Sequence, residues 1–305
     1  MHDVIIIGAG PAGYTAGIYC ARARHDTLLI SGILPGGQLM NTTDVENYPG
    51  FSDGIMGPDL MAVMRKQTEK MGTKIIDDEV TSVDFKNRPL KVKTASEEFE
   101  ARAVIVCTGA NPRKIGLEGE QTFAGKGVSY CATCDGAFFR DQELIVVGGG
   151  DSAMEEAIFL TKFASVVHIV HRKEEFRASK IMQERALSNE KIKVHFNSAV
   201  KEIHGDQKFQ QVILNNTKTN EDKILEAGGL FIAIGHEPNS TLFQDQIELD
   251  RNGYMIIKNN TETNVTGVFC AGDVHDHRYR QAVTAAGFGC MAAIDVDKYL
   301  SESNT

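Results

Sequence analysis

Two regions of the chain repeat one pattern: an uninterrupted apolar run, a glycine-rich turn, a helix-like stretch and a second apolar run. In the first, Val4-Ile5-Ile6-Ile7 leads into Gly8-Ala9-Gly10-Pro11-Ala12-Gly13, a helical stretch follows to about residue 23, and Thr27-Leu28-Leu29-Ile30 closes the unit. In the second, Leu144-Ile145-Val146-Val147 leads into Gly148-Gly149-Gly150-Asp151-Ser152-Ala153, with helix from 154 to about 163 and Val166-Val167-His168-Ile169-Val170 after it. Apolar runs of this length between turn signals are strands buried on both faces of a parallel sheet. Each region also ends alike: an apolar strand, then Thr108-Gly109-Ala110-Asn111-Pro112 in one case and Gly235-His236-Glu237-Pro238 in the other. Glycine followed by proline is a chain-exit signal. The expected fold class is α/β, with two Rossmann-like nucleotide-binding domains, the second inserted into the first. The expected domains are 1–112 with 241–305, and 113–240. Residues 91–102 and 194–225 alternate apolar and polar as antiparallel strands do, and a helix is expected from about 279 to 300.

Both turns carry chemistry. In G-x-G-x-x-G, Gly8 permits the tight turn and Gly10 lets backbone approach a pyrophosphate. Gly13 lets helix and strand pack closely, while the helix N-terminus faces the negative charge. An acidic residue ordinarily ends the next strand and binds ribose hydroxyls. Here Ser31-Gly32 stands there, followed by Pro35-Gly36-Gly37-Gln38, whose glycines let backbone lie against a flat ligand. The second unit ends its strand with His171-Arg172-Lys173-Glu174-Glu175-Phe176-Arg177. Cations at that position suit a ribose 2′-phosphate, hence NADP(H) over NAD(H). A solvated basic helix start is the plain alternative.

Composition narrows the setting. The 305 residues are 42% hydrophobic and 24% charged, with a net charge of −9. A soluble protein of about two domains is expected, with no overall attraction to nucleic acid or anionic lipid. No run of about 18 apolar residues exists to span a membrane. The opening has no basic segment and too short an apolar run for a signal peptide. Six cysteines are too sparse for a disulfide scaffold. Cys20, Cys107, Cys270 and Cys290 lie among apolar or small residues and are expected as core side chains, so reducing cytoplasm is the expected compartment.

The remaining pair, Cys131 and Cys134, sits in the stretch CATCDG just ahead of the second glycine turn. Two thiols at this spacing hold a metal, close a structural bridge or exchange electrons. Structural zinc needs four ligands, and no second pair exists, so no metal is expected. A structural bridge is out of place in a reducing compartment. A redox dithiol needs a two-electron donor, and this reading alone uses both nucleotide units. Asp135 is either the acid that protonates the thiolates or a turn residue before Gly136.

These residues resemble the low-molecular-weight thioredoxin reductases. The resemblance rests on CATCDG, on GGGDSA at 148–153, HRKEEFR at 171–177 and PGGQ at 35–38, and on VENYPG at 45–50 and AGDVHDHRYRQA at 271–282. It runs from about Val4 to about Leu300, in family order and spacing. It implies FAD in the first domain, NADPH in the second, thioredoxin as partner and a cytoplasmic homodimer. Gly8, Gly10, Pro11, Ala12 and Gly13 would line the FAD pyrophosphate, and Ser31 through Gln38 would run along the cofactor. Asn47, Val80, Thr108 and Gly109 would add FAD contacts, with Asp273, Arg280, Gln281 and Ala282 near the ribityl chain and flavin ring. Gly148, Gly150, Asp151, Ser152, Ala153, His171, Arg172, Lys173 and Arg177 would hold NADPH. Cys134 would take electrons from flavin, Cys131 would exchange with thioredoxin, and Asp135 would be the acid. Rotation of the inserted domain about its crossovers near 112 and 240 would present the dithiol to each partner in turn. Two positions depart from the family: Ser31 replaces a carboxylate found in some relatives, and Lys173 replaces an arginine, keeping charge without the bidentate fork. The alternative is a flavin-dependent disulfide reductase serving another dithiol protein, such as a peroxidase system. Those relatives generally carry an extra N-terminal dithiol domain.

Overall fold

Along β1 (His2–Ile7), Val4 and Ile6 face one core and Ile5 and Ile7 another, all of them buried. A strand covered on both sides has no solvent face, so its sequence cannot alternate. The structure, a computed structural model, describes residues 1–32 and 35–302. Of the stretch expected along a cofactor, Ile33 and Leu34 lie outside the described residues, as do 303–305 of the expected first domain.

The chain begins one unit, leaves it to build a second, and returns. After β1 come α1 (Pro11–Arg22), β2 (Thr27–Ile30), the short pair β3 (Asp44–Val45) and β4 (Ile55–Met56), and α2 (Gly57–Met71). Then follow β5 (Lys74–Ile76), β6 (Val80–Asp84), β7 (Leu90–Thr94) and the long β8 (Glu98–Val106), before the crossover strand β9 (Ala110–Pro112). The inserted unit holds α3 (Glu118–Thr122), β10 (Val128–Ser129), α4 (Ala132–Asp135), β11 (Glu143–Val147), α5 (Asp151–Leu160), β12 (Val166–Val170) and α6 (Lys180–Leu187). It continues through β13 (Ile192–His195), β14 (Ser198–Gly205), β15 (Phe209–Asn216), β16 (Asp222–Glu226) and β17 (Gly229–Ile232). The return crossover is β18 (His236–Pro238), and β19 (Val268–Cys270) and α7 (Ala282–Glu302) complete the first unit.

The first sheet runs β5-β2-β1-β8-β7-β6, with β19 also on β8. β8 is long because its edge away from β1 serves two partners: Glu98 to Ala101 pair antiparallel with β7, and Val104 to Val106 pair parallel with β19. The second unit has a parallel sheet β10-β17-β11-β12-β13 and an antiparallel meander β14-β15-β16. Residues 91–102 therefore do include antiparallel pairing, whereas Val194 and His195 belong to the parallel sheet through β13. The same two-faced burial recurs in β11, where Leu144 and Val146 face the core under α5 and Ile145 faces the core under the meander.

The units divide as Met1–Asn111 with everything from Glu237 onward, and Pro112–His236. The return edge falls ahead of the expected residue 240 because Asn239 and Ser240 are tied into the first unit. Asn239 N–H donates to the Gly109 carbonyl at 2.9 Å, and Ser240 Oγ donates to the Gly253 carbonyl at 2.6 Å. The last helix starts later than the expected 279 for a similar local reason. Asp276 Oδ1 accepts from the N–H groups of Arg278 and Tyr279 at 2.9 and 3.0 Å, and Arg280 has a φ of 47°. A side-chain-capped turn followed by a left-handed residue cannot continue as helix.

α1 and α7 pack at backbone distance. A Cβ on Gly289 of α7 would lie 2.1 Å from the Ala12 carbonyl oxygen. Gly287, on the exposed side of the same helix, has no atom within 4 Å of such a Cβ. Gly289→Ala is expected to destabilise by about 1–3 kcal/mol through overpacking, and Gly287→Ala to be neutral or stabilising by up to about 1 kcal/mol from helix propensity. Urea midpoints of the two variants, at unchanged m, check the opposite signs.

Candidate functional site

The first glycine turn is built by contacts that only glycine allows. Gly8 has a φ of +109°, and its Cβ would lie 2.4 Å from the Cys107 carbonyl oxygen. A Cβ on Gly13 would lie 1.9 Å from the Gly8 carbonyl oxygen, which clamps α1 onto the end of β1. Gly10 is different: as the N-cap of α1 it has no atom of the described residues within 4 Å on its Cβ side. That open side, at the N-terminus of a 12-residue helix begun by Pro11, is a cradle for an anion. The Pro35–Gln38 turn folds back over it. Gly36 N–H donates to the Ala9 carbonyl at 2.9 Å, and a Cβ on Gly37 would lie 3.7 Å from the Gly10 Cα.

The segment after β19 reaches the same place. A Cβ on Gly272 would lie 3.0 Å from Ala12 Cβ, so Asp273 follows directly behind the helix start. Asp273 Oδ1 is buried and finds no hydrogen-bond partner among the described residues. Burial, with the Asp276 charge adding to it and Arg280 opposing it, pushes the Asp273 carboxyl up to about 7. A buried acceptor without a donor is costly, on the order of 1–3 kcal/mol, and a polyhydroxyl group bound there would supply the missing donor. Gln38 Nε2 donates to Asn111 Oδ1 at 2.6 Å, and Asn47 Nδ2 donates to Gln281 Oε1 at 3.4 Å. Val80 opens β6 and is half-buried, and Ala282 begins α7. The open anion cradle, the glycine platform and the orphaned carboxyl fit a dinucleotide such as FAD.

Thr108 and Gly109 belong to a network that no sequence motif signalled. Thr108 Oγ1 donates to the Asn239 carbonyl at 2.7 Å, Asn239 Nδ2 donates to the Thr108 carbonyl at 2.8 Å, and Asn111 Nδ2 donates to Asn239 Oδ1 at 2.9 Å. Asn111, just before the chain leaves the first unit, and Asn239, just after it returns, tie the two crossover strands side by side. Only folding brings these distant asparagines together.

In the second glycine turn, Gly148 meets the Ala233 carbonyl and Ala153 Cβ, while Gly150, the N-cap of α5, again has an open Cβ side. Ser152 lies in the first turn of α5, half-buried. Gly149, outside the G-x-G-x-x-A signature, proves as constrained as the rest: its Cβ would lie 2.3 Å from the His171 ring. Its carbonyl also accepts from Arg177 N–H at 2.7 Å and Ala178 N–H at 3.1 Å. Asp151 Oδ1 accepts from Ser179 N–H and Oγ at 2.9 and 2.7 Å, so its carboxylate fastens the start of α6. These bonds lay the basic loop against the glycine turn. His171 is buried, hydrogen-bonded through Nε2 to the Glu175 carbonyl, and its pKa is lowered chiefly by burial. It shapes the loop as a neutral ring and adds no cation. Arg172, Lys173 and Arg177 are exposed and make no ion pair among the described residues, while Glu174 is paired with Lys218. The exposed cations beside an open helix start fit a nucleotide bearing a further phosphate, such as NADPH.

Cys131 and Cys134 form a disulfide with an S–S distance of 2.10 Å. Cys131 is the N-cap of α4: its Sγ accepts from Cys134 N–H at 3.2 Å and lies 3.3 Å from Thr133 Oγ1. Cys134 is exposed, and Cys131 is half-buried. Gly136 is required for packing, because a Cβ there would lie 2.9 Å from Leu160 Cδ2 on α5. Asp135 is tucked inward and its carboxyl is pushed upward by burial, an effect opposed by a 2.6 Å hydrogen bond from Ser129 Oγ. Ser129 also accepts from Cys131 N–H at 3.0 Å. This buried serine, which the sequence did not single out, ties the acid to the first thiol. Cys20, Cys107 and Cys270 are buried core thiols, whereas Cys290 on α7 is only half-buried. No cluster of three or more metal-binding side chains occurs among the described residues.

A disulfide and a shielded carboxyl, carried in a nucleotide-binding unit, define an oxidoreductase that works on disulfides. Residues 2–289 match the pyridine nucleotide-disulphide oxidoreductase family. A thioredoxin reductase of Streptomyces clavuligerus is 55% identical over 307 residues, covering 99% of this chain and 94% of the relative. A bifunctional thioredoxin reductase/thioredoxin of Mycobacterium leprae is 51% identical over 304 residues, covering 99% of this chain and 66% of its own length. The solved thioredoxin reductase from Giardia duodenalis, 42% identical, superposes with a TM-score of 0.95 over 98% of this chain and 99% of that one. The chain belongs to the pyridine nucleotide-disulphide oxidoreductases and, within them, to the thioredoxin reductases.

The hydroxyl of Ser129 favours the ionised form of Asp135, so its removal raises the carboxyl pKa further. In Ser129→Ala the protonated-carboxyl infrared band of Asp135 is expected to persist to higher pH than in the unmodified chain. The band is assigned by its loss in Asp135→Asn. Coincident midpoints would refute the coupling.

Proposed function

We propose that this chain is an NADPH-dependent thioredoxin reductase, with FAD in the first unit and NADPH in the inserted one. When bound, the two cofactors supply the electron pair that opens the Cys131–Cys134 disulfide. The observation that carries this reading is the disulfide itself, set on an exposed turn with a buried acid behind it. A carboxyl pushed toward its protonated form by burial is suited to deliver a proton where thiolates are produced. The backbone N–H of Cys134 and the Thr133 hydroxyl both point at Cys131 Sγ, and donors of this kind favour a thiolate on that sulfur. Cys131 then attacks the thioredoxin disulfide, and one thioredoxin sulfur leaves as a thiolate and takes a proton. Cys134 attacks Cys131 Sγ in turn, which releases reduced thioredoxin and restores the disulfide. Asp135 is the proton donor beside this exchange.

Arg172, Lys173 and Arg177 are the groups assigned to the 2′-phosphate, and their selectivity is that of NADPH over NADH. Rotation of the inserted unit about the asparagine-stapled crossovers gives the dithiol access to flavin and to thioredoxin in turn. A homodimer fits the apolar side chains left exposed on the first unit, namely Tyr19, Val63 and Ile294 on α1, α2 and α7. No described helix is long and apolar enough to cross a membrane, and the reading places the enzyme in the cytoplasm. Service to another dithiol protein has no observation in its favour, while the Mycobacterium leprae relative carries both named activities.

Cys134→Ser is expected to abolish NADPH-driven thioredoxin turnover. After prior reduction it is also expected to trap a mixed disulfide between Cys131 and thioredoxin, visible on non-reducing gels and by mass. Full turnover in this variant would sink the mechanism. Arg172→Ala combined with Arg177→Ala is expected to lower the NADPH-to-NADH preference in stopped-flow flavin reduction by about tenfold or more, the scale of charge-assisted hydrogen bonds. An unchanged ratio would remove these arginines from the site.

A further inference from the structure

The end of β2 is where a dinucleotide-binding unit ordinarily places the carboxylate for its ribose hydroxyls, and Ser31 stands there. The neighbouring strand provides what position 31 lacks. β2 pairs in parallel with β5 up to Ile30 and Ile76, and the pairing is extended by Ser31 N–H to the Ile76 carbonyl at 3.0 Å. Asp77 therefore leaves its strand beside Ser31, and Ser31 Oγ lies 2.7 Å from Asp77 Oδ1, as donor. Arg65 on α2 grips the same carboxylate from the other side, Nη1 to Oδ1 at 2.8 Å and Nη2 to Oδ2 at 3.0 Å.

We propose that Asp77 is the acceptor for the adenosine ribose hydroxyls of the first unit's dinucleotide, oriented by Ser31 and Arg65. This rests on the reading of that unit as the FAD site. An ionised carboxylate offers about four lone-pair sites. The three hydrogen bonds leave one on Oδ2, and the Asp77 side chain is 49% exposed. Ser31 is buried, and its hydroxyl lies within hydrogen-bond distance of both Asp77 Oδ1, at 2.7 Å, and the Gly32 carbonyl, at 2.8 Å, which holds the strand end and the carboxylate together. On the other side, a Cβ on Gly32 would meet no atom of the described residues within 4 Å. Asp78, the next acid, is engaged with Ser96 and with Glu79 N–H and does not share the task.

The arrangement also sorts the two nucleotides by charge. The first unit presents a carboxylate at its strand end, which suits free ribose hydroxyls and repels a 2′-phosphate. The second presents Arg172 and Lys173 at the equivalent place, with the opposite preference. A plain surface ion pair between Arg65 and Asp77 would make no such distinction.

The test uses protein stripped of flavin and titrated with FAD or with FAD lacking the adenosine 2′-hydroxyl, followed by flavin fluorescence. The unmodified chain is expected to prefer FAD by about tenfold or more, as for a hydrogen bond to a charged group. In Asp77→Ala this ratio is expected to collapse to about one, by loss of FAD affinity with the deoxy analogue unaffected. Asp77→Asn, which keeps the shape and an acceptor, is expected to fall between and serves if the alanine variant does not fold. A ratio unchanged in both variants, with circular dichroism showing native folds, overturns the proposal. Failure of the unmodified chain to bind FAD at all overturns the flavin assignment itself.

Discussion

Contact between backbone and backbone at the two strand-to-helix turns is the constraint on which the rest of this protein depends. Gly13 lies against the Gly8 carbonyl and Gly148 against the Ala233 carbonyl, at separations where any side chain would collide. These contacts bring the helix N-termini to the strand ends and leave Gly10 and Gly150 with open sides. The same closeness carries α7 onto α1 through Gly289, which brings Asp273 to the first turn. An anion cradle and a buried carboxyl thus share one cause.

The dithiol obeys a second constraint, the low dielectric behind it. Exposed sulfur and shielded acid are neighbours in sequence yet occupy different environments, because α4 turns Cys134 outward while Asp135 points at buried Ser129. Burial shifts the carboxyl toward its protonated form, and exposure leaves the Cys134 sulfur accessible. Neither would serve alone.

Legibility in the sequence followed the range of the interaction. Gly8, Gly10, Gly13 and the Cys131–Cys134 spacing are local, so a short motif carries them. The basic loop was readable as charge, but His171 within it was not readable as a buried neutral ring held by Gly149. Ser129 lies only two positions before Cys131, and nothing in its neighbourhood distinguishes it from a strand serine. Asn111 and Asn239 are far apart in the chain and meet only where the two crossovers meet.

By itself the sequence determined the α/β class, the two nucleotide turns, the redox dithiol and the inserted order of the units. Each rests on strand burial, backbone sterics or residue spacing, which act over a few residues. The tertiary structure decided which side chains complete those motifs. Asp77 stands beside Ser31 only because β5 pairs with β2, and Asp273 Oδ1 is buried without a hydrogen-bond partner among the described residues only in the folded chain. Hydrogen bonding and desolvation between distant segments leave no periodic trace in a chain, so CATCDG could announce a dithiol but not the serine hydrogen-bonded to its acid.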